Sequence, residues 1–171
     1  MMKGEAMNRG GSLSSDEKVM IALGRAAELF KRRSSCIFSY FGLSFSQYNT
    51  LRVLDSANGG SLSITEISKL LLVSTPNMSG IAKRLAKSGF AERLSDEKDD
   101  RKTILRITPK GRQVVHEISP LHEGSVAEIL KGCNTADRDS MLDMLKKMLS
   151  VGNYDIKTHL SMQGWKQNEG L

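Results

Sequence analysis

The residues of this chain that could do chemistry gather in one stretch, Ser74-Thr75-Pro76-Asn77-Met78-Ser79-Gly80-Ile81-Ala82-Lys83-Arg84-Leu85-Ala86-Lys87. Wound into a helix, it turns Met78, Ile81, Ala82 and Leu85 to one side. Pro76, Gly80, Lys83 and Lys87 face the other way, flanked by Asn77, Ser79 and Arg84. The outer face is then small and polar at its start and basic at its end. Ser74, Thr75, Asn77 and Ser79 offer hydrogen-bonding groups to base edges and phosphates, while the lysines and Arg84 suit phosphates. Gly80 stands out, because a glycine in an exposed helix interior costs about 1 kcal/mol relative to alanine. Either DNA comes close to the backbone there or the position is merely tolerated.

A second group follows directly. Asp96-Glu97-Lys98-Asp99-Asp100-Arg101-Lys102 reads as the tip of a hairpin and mixes both signs, so its carboxylates partly cancel any plain attraction to phosphate. An aspartate beside an arginine can instead orient the guanidinium, and an oriented arginine can enter a narrow minor groove, where the potential is most negative. The alternative is a soluble turn whose charges neutralise one another. Between Lys83 and Arg112 ten basic residues face five acidic ones, and this one segment holds nearly all of the chain's formal excess of +6. Such a footprint suits a phosphate backbone, or else a solvated charged face.

Other chemistries find little to work with. The sequence has no glycine-rich phosphate loop, no nucleophile elbow and no paired carboxylates in an apolar setting, so no catalytic residue and no cofactor are expected. His116 and His122 are six apart and fall on different faces of a helix, and Cys36 and Cys133 belong to no Cys-x-x-Cys pair. Neither a metal site nor a disulfide is expected. Two sensing devices are conceivable. Cys36 follows Lys31, Arg32 and Arg33, which would favour a thiolate redox switch if close in space; otherwise it is a small buried hydrophobe. Arg25, Tyr40, Tyr48 or His116 could line a ligand pocket, though aromatics at helical spacing are more often core residues.

The elements that must position these residues can be read from periodicity and punctuation. At 171 residues, with 39% hydrophobic and 26% charged, the chain is long enough for one domain with a core of its own and too polar for a membrane protein. Its longest aliphatic run is Leu70-Leu71-Leu72-Val73, and no secretory signal opens it, so a cytoplasmic protein is expected. After a flexible segment 1–15, Val19, Leu23, Phe30, Ile37 and Phe41 mark a long first helix over about 16–41. Ser44 with Gln47 and Ser63 with Glu66 form capping boxes for a second and third helix, with Leu43/Tyr48 and Leu62/Ile67 as staples. A break at Leu72-Val73-Ser74 leads into the polar-faced fourth helix, which Ser88-Gly89 closes.

Two strands, 90–94 and 103–107, then flank the charged tip 95–102. Thr108-Pro109 opens a fifth helix, kinked or restarted at Pro120, and Asn134-Thr135 opens a sixth; 151–171 is left as a tail containing Trp165. The fold class is mainly α with a small β-wing: six helices and a winged helix-turn-helix over about 44–108, inside one domain of residues 16–150. A short helix braced against a second one, with a hairpin behind it, is the arrangement that places a helix in a major groove.

Taken in order, Leu62-Ser63-Ile64-Thr65-Glu66-Ile67, Val73 to Ser79, Leu85-Ala86-Lys87-Ser88-Gly89-Phe90 with Arg93, Asp99-Asp100-Arg101, and Ile107-Thr108-Pro109-Lys110-Gly111 resemble the MarR family of bacterial regulators, over about residues 20–150. The resemblance implies a homodimer joined through helices from both ends of the chain, about 16–41 and 109–150. It also implies a transcriptional regulator of double-stranded DNA with a pseudo-palindromic operator, more often a repressor, released by a small-molecule effector or by cysteine oxidation. By the same resemblance, residues matching Ser74, Thr75, Pro76, Asn77 and Ser79 enter the major groove, and those matching Asp99 and Arg101 build the wing contact. Gly80, Lys83 and Lys102 depart from the family's usual residues and bear on which operator is read. Cys36, Tyr48 and His116 are the candidate ligand or redox residues. The alternative is a dimeric protein-interaction module of the same fold that does not bind DNA on its own.

Overall fold

Three helices open on a serine that trades hydrogen bonds with the residue three places on. Ser14 with Glu17, Ser44 with Gln47 and Ser63 with Glu66 each form a complete capping box, which satisfies donors that a helix start leaves unpaired. These caps set α1 (Ser15–Tyr40), α2 (Phe45–Ser56) and α3 (Ile64–Leu70). Threonine and asparagine start two more: Thr108 accepts from the Gly111 amide at 3.1 Å and begins α5 (Pro109–Ile129), and Asn134 exchanges bonds with Asp137 and begins α6 (Thr135–Val151). Between them lie α4 (Thr75–Lys87), β2 (Ala91–Asp96) and β3 (Asp99–Ile107). A single turn Asn58–Gly60 and a short β1 (Ser61–Ser63) join α2 to α3. This computed structural model describes residues 13–96 and 99–151, without the side chains at 96, 99–101 and 151.

The three strands form one antiparallel sheet in the order β1-β3-β2. β1 pairs from Ser61 opposite Arg106 to Ser63 opposite Ile104, and β2 from Ala91 opposite Ile107 to Ser95 opposite Thr103, with an irregularity before Asp96 meets Asp99. Two sequence expectations change here. The strands run past 94 and begin before 103, so most of the supposed polar tip belongs to the ladder; backbone pairing on an exposed ribbon does not depend on which side chains hang from it. β1 was not expected at all, because three residues are too few to show an alternation.

Of the two expectations for α5, a kink or a restart at Pro120, the restart does not occur. The helix continues through Pro120, although that residue has no N–H to give to the His116 carbonyl. Ile118 just before it and His122 just after it are held against α1 and α2, and this packing carries the helix across the missing bond. Trp165 and the tail from 152 lie outside the described residues, as do residues 1–12.

The core sits where α2, α3, α4, the sheet and the first half of α5 converge, around Leu51, Leu54, Ile67, Met78, Leu85, Leu105 and Ile118, all with no measurable exposure. α1 joins it only near its C-terminal end, through Phe38. Its first half exposes Val19, Met20, Ile21 and Leu29, and α6 exposes Met141, Leu142, Met144, Met148 and Leu149, each by more than a third. α1 and α6 therefore carry apolar faces that no other described residue covers. No described helix is long and apolar enough to cross a membrane.

The turn between α3 and α4 is strained. Leu72 has φ +53°, a left-handed conformation that costs a non-glycine residue about 1–2 kcal/mol, and its side chain is 54% exposed, so burial returns little of that. The Leu71 amide to the Ile67 carbonyl and the Val73 amide to the Ser68 carbonyl, both 3.0 Å, hold it there. Leu72→Gly should raise stability by roughly 0.5–1 kcal/mol, the strain relief less glycine's greater unfolded entropy. Urea denaturation measures this, and a lower midpoint for the variant would show that the leucine contributes packing that outweighs its backbone strain.

Candidate nucleic-acid interface

α4 has two unlike faces. Met78, Ile81, Ala82 and Leu85 are buried against α2, α3 and β2, and Thr50 of α2 points its hydroxyl at the Met78 sulfur. On the other side Ser74, Thr75, Pro76, Asn77, Lys83, Arg84 and Lys87 are exposed, with Ser79 and Gly80 half-buried at the margin. Ser74 stands at the N-cap with extended backbone, yet its hydroxyl accepts no capping bond. The first turn of α4, with N–H groups at Thr75 and Asn77 and none at Pro76, is thus left without a serine cap, which suits an anion or acceptor. Among the described residues Gly80 has no packing reason: an added Cβ would meet only the Arg84 guanidinium, at 3.7 Å.

The basic footprint is smaller than a count of charges suggests. Arg106 is tied across the sheet to Glu92 at 2.8 Å, Arg112 to Asp55 at 2.7 Å, and Lys110 to the Ser88 carbonyl at 2.8 Å. Lys83, Arg84 and Lys87 on α4, and Arg93 on β2, take no ion pair among the described residues. They lie on α4 and the ribbon beside it. Lys102 is exposed on β3; Asp99 and Arg101 fall on the same strand, with side chains outside the described residues.

The three candidate sensing residues are not brought together. Cys36 is exposed on α1 and His116 is exposed on α5, while Tyr48 is buried in α2. Tyr48 instead stacks on Phe38 at 4.0 Å, and His122, a residue the sequence reading had passed over, closes the group. The His122 ring lies 5.1 Å from Phe38, 5.6 Å from Tyr48 and 5.7 Å from Phe30, with Nε2 3.1 Å from the buried hydroxyl of Ser34. Periodicity could have hinted at it, since His122 follows Val115 and Ile118 at steps of seven and four. Burial pushes the His122 imidazole below its ordinary range, helped by Arg52 and opposed by Glu123. Burial likewise raises the Tyr48 phenol, against a hydrogen bond from Ser119. This junction joins α1, α2 and α5. No group of three or more potential metal ligands occurs among the described residues.

A short brace helix, a tight turn, a polar-faced helix and a two-stranded wing are therefore all present, and a family model described as MarR family matches residues 41–102, from just before α2 into the first part of β3. Over these elements the chain is similar to the MarR family. The chain is 26% identical over 121 residues to the transcriptional repressor YetL of Bacillus subtilis, a match that covers 69% of the chain and 72% of YetL. It is 28% identical to the transcriptional repressor MprA of Escherichia coli, where the match covers 64% of the chain and 62% of MprA. Among solved structures, BpsR of Bordetella bronchiseptica, whose DNA binding is regulated by 6-hydroxynicotinic acid, superposes with a TM-score of 0.71 at 25% identity, over 81% of this chain and 97% of BpsR.

Neutral His122 makes a pH prediction. Because its folded pKa is lowered, the unfolded chain takes up the proton first as pH falls through the ordinary histidine range near 6.5. Stability should be flat above that range and fall below it. Set against His122→Gln, which cannot titrate, the wild type should lose its advantage as pH drops from 8 to 5. Parallel stability curves for the two proteins would exclude His122 as a source of acid sensitivity.

Proposed function

We propose that the chain is a dimeric, sequence-specific reader of double-stranded DNA that acts in the cytoplasm as a repressor. Its operator is pseudo-palindromic, with half-sites about one helical turn apart. The observation that carries this is the division of α4: an inner stripe anchored in the core, and an outer face of hydrogen-bonding and basic residues that is exposed among the described residues. Ser74, Thr75, Pro76, Asn77 and Ser79 are assigned to base edges and adjacent phosphates, with Gly80 letting the helix backbone lie close to the groove wall. Lys83 and Arg84 are assigned to phosphates. On the wing, Asp99 orients Arg101 into the flanking minor groove and Lys102 supports it.

The working unit spans residues 16–150, with the reading domain at about 44–108 and pairing segments at about 16–41 and 109–150. The exposed apolar faces of α1 and α6 support the pairing of two subunits, since a second copy would cover them from both ends of the chain. Release by a small effector is supported by the likeness to BpsR and by the meeting of α1, α2 and α5 at Tyr48 and His122. Exposed Cys36 offers oxidation as a second release signal, with His116 on the surface of α5 the weaker ligand contact.

Selection of bound fragments from random genomic DNA at physiological salt tests this reading. An inverted repeat should be enriched, and Arg101→Ala should weaken binding to it about tenfold or more. Salt-sensitive binding without any enriched sequence would sink the operator claim. Met20→Glu combined with Met144→Glu should turn a sedimenting dimer into monomer and remove operator binding, since both side chains are more than half exposed in the single chain and their loss leaves its core intact. An unchanged sedimentation coefficient would remove these faces from the interface.

A further inference from the structure

The C-terminal end of α4 is held from outside the helix. Three successive carbonyls there, of Ser88, Gly89 and Phe90, are each taken by the first residues at the start of α5. Lys110 Nζ donates to Ser88 at 2.8 Å, the Thr108 hydroxyl to Gly89 at 2.7 Å, and the Thr108 amide to Phe90 at 3.1 Å. The Lys110 ammonium also stands 4.7 Å from the centre of the Phe90 ring, so one cation meets both the negative end of a helix and an aromatic face. The Thr108 oxygen that donates to Gly89 accepts from the Gly111 amide, which makes the α5 cap part of the same network. Gly111 completes the fit: a Cβ at that position would collide with the Phe90 carbonyl oxygen.

What α5 does beyond this corner gives the grip its meaning. It is a single helix of 21 residues, and near its far end His122 meets Ser34 of α1 and the aromatic rings of α1 and α2. The start of this helix therefore holds α4, and its second half reaches α1, which carries one of the exposed apolar faces. A helix held at both places couples a displacement at one to the other, and its contacts on either side of Pro120 keep it continuous across that residue.

We propose that Lys110 is a positioning residue: with Thr108 it latches α4 to the start of α5, so that the separation of the two recognition helices in a dimer follows the orientation of α5. This rests on the regulator reading above. Lys110 lies in the basic segment yet spends its charge on the protein, so its contribution to DNA binding is geometric. Arg112, two residues on, is spent in the same manner on Asp55.

The test uses the full-length dimer and its selected operator, with fluorescence anisotropy across a salt series and with spacers one base pair longer and shorter. Lys110 is exposed, so Lys110→Met should fold and pair as the wild type does, which circular dichroism and sedimentation check. The variant should bind the operator about tenfold more weakly, the loss expected for one charged hydrogen bond. It should keep the wild-type slope of log affinity on log salt and discriminate less between the three spacers; Lys110→Arg should restore that discrimination. A slope shallower by about 1.8, two phosphate contacts per dimer, would make Lys110 a phosphate ligand and overturn the latch. Unchanged spacer discrimination in Lys110→Met would overturn it as well. If the wild type prefers no operator over scrambled duplex, the regulator reading falls and the latch with it.

Discussion

The burial of four side chains, Met78, Ile81, Ala82 and Leu85, on one side of α4 is the constraint on which the rest of this structure depends. Each full burial of a large apolar side chain is worth roughly 1.5–3 kcal/mol, enough to anchor a 13-residue helix that would be marginal alone. Anchored so, α4 can give its other face to serine, threonine, asparagine, glycine and lysine, which contribute little to packing and bring the helix a glycine penalty at Gly80. α2, α3 and β2 are the walls against which that stripe packs, and the strained turn at Leu72 is what lets α3 and α4 meet at the required angle.

Charge is divided as strictly as hydrophobicity. In the basic segment, some residues are bound to the fold and others face outward, and sequence position does not separate the two groups. Arg112 reaches Asp55 because Gly60, with φ +68°, has no Cβ; one there would collide with the guanidinium. Asp55 is mostly buried and also lies 3.7 Å from Arg52, so this ion pair is better shielded than the exposed Arg106–Glu92 bridge, whose worth is within about 1 kcal/mol. The pair fastens the start of α5 to the end of α2, beside the latch that fastens it to α4. The outward lysines and arginine of α4 are left for a partner.

The junction around His122 joins α5 to α1 and α2. Phe38 and Tyr48 stack, Ser34 and His122 satisfy each other, and no buried side-chain nitrogen or oxygen lacks a partner among the described residues. A polar pair enclosed by rings in this way has few alternative arrangements of equal energy, because separating Ser34 from His122 would leave both unpaired in an apolar setting. The same contact that steadies the junction makes it sensitive to anything that competes for those two groups.

Much of this was legible in the sequence for a physical reason: caps, turns and helix stripes depend on neighbours three or four residues apart. Ser44 with Gln47, Ser63 with Glu66, the stripe of α4 and the Thr108-Pro109 start of α5 are local, and the residues named for them occupy those places. What needed the tertiary structure is everything set by partners far along the chain. β1 exists because β3 offers an edge more than forty residues later, and α5 survives Pro120 because other helices hold it. His122 rather than His116 enters the junction because only its side of α5 faces Ser34, 88 residues earlier. Likewise, nothing near Lys110 or Arg112 in the sequence shows that their charges are already spent, since Ser88 and Asp55 are brought to them only by the fold.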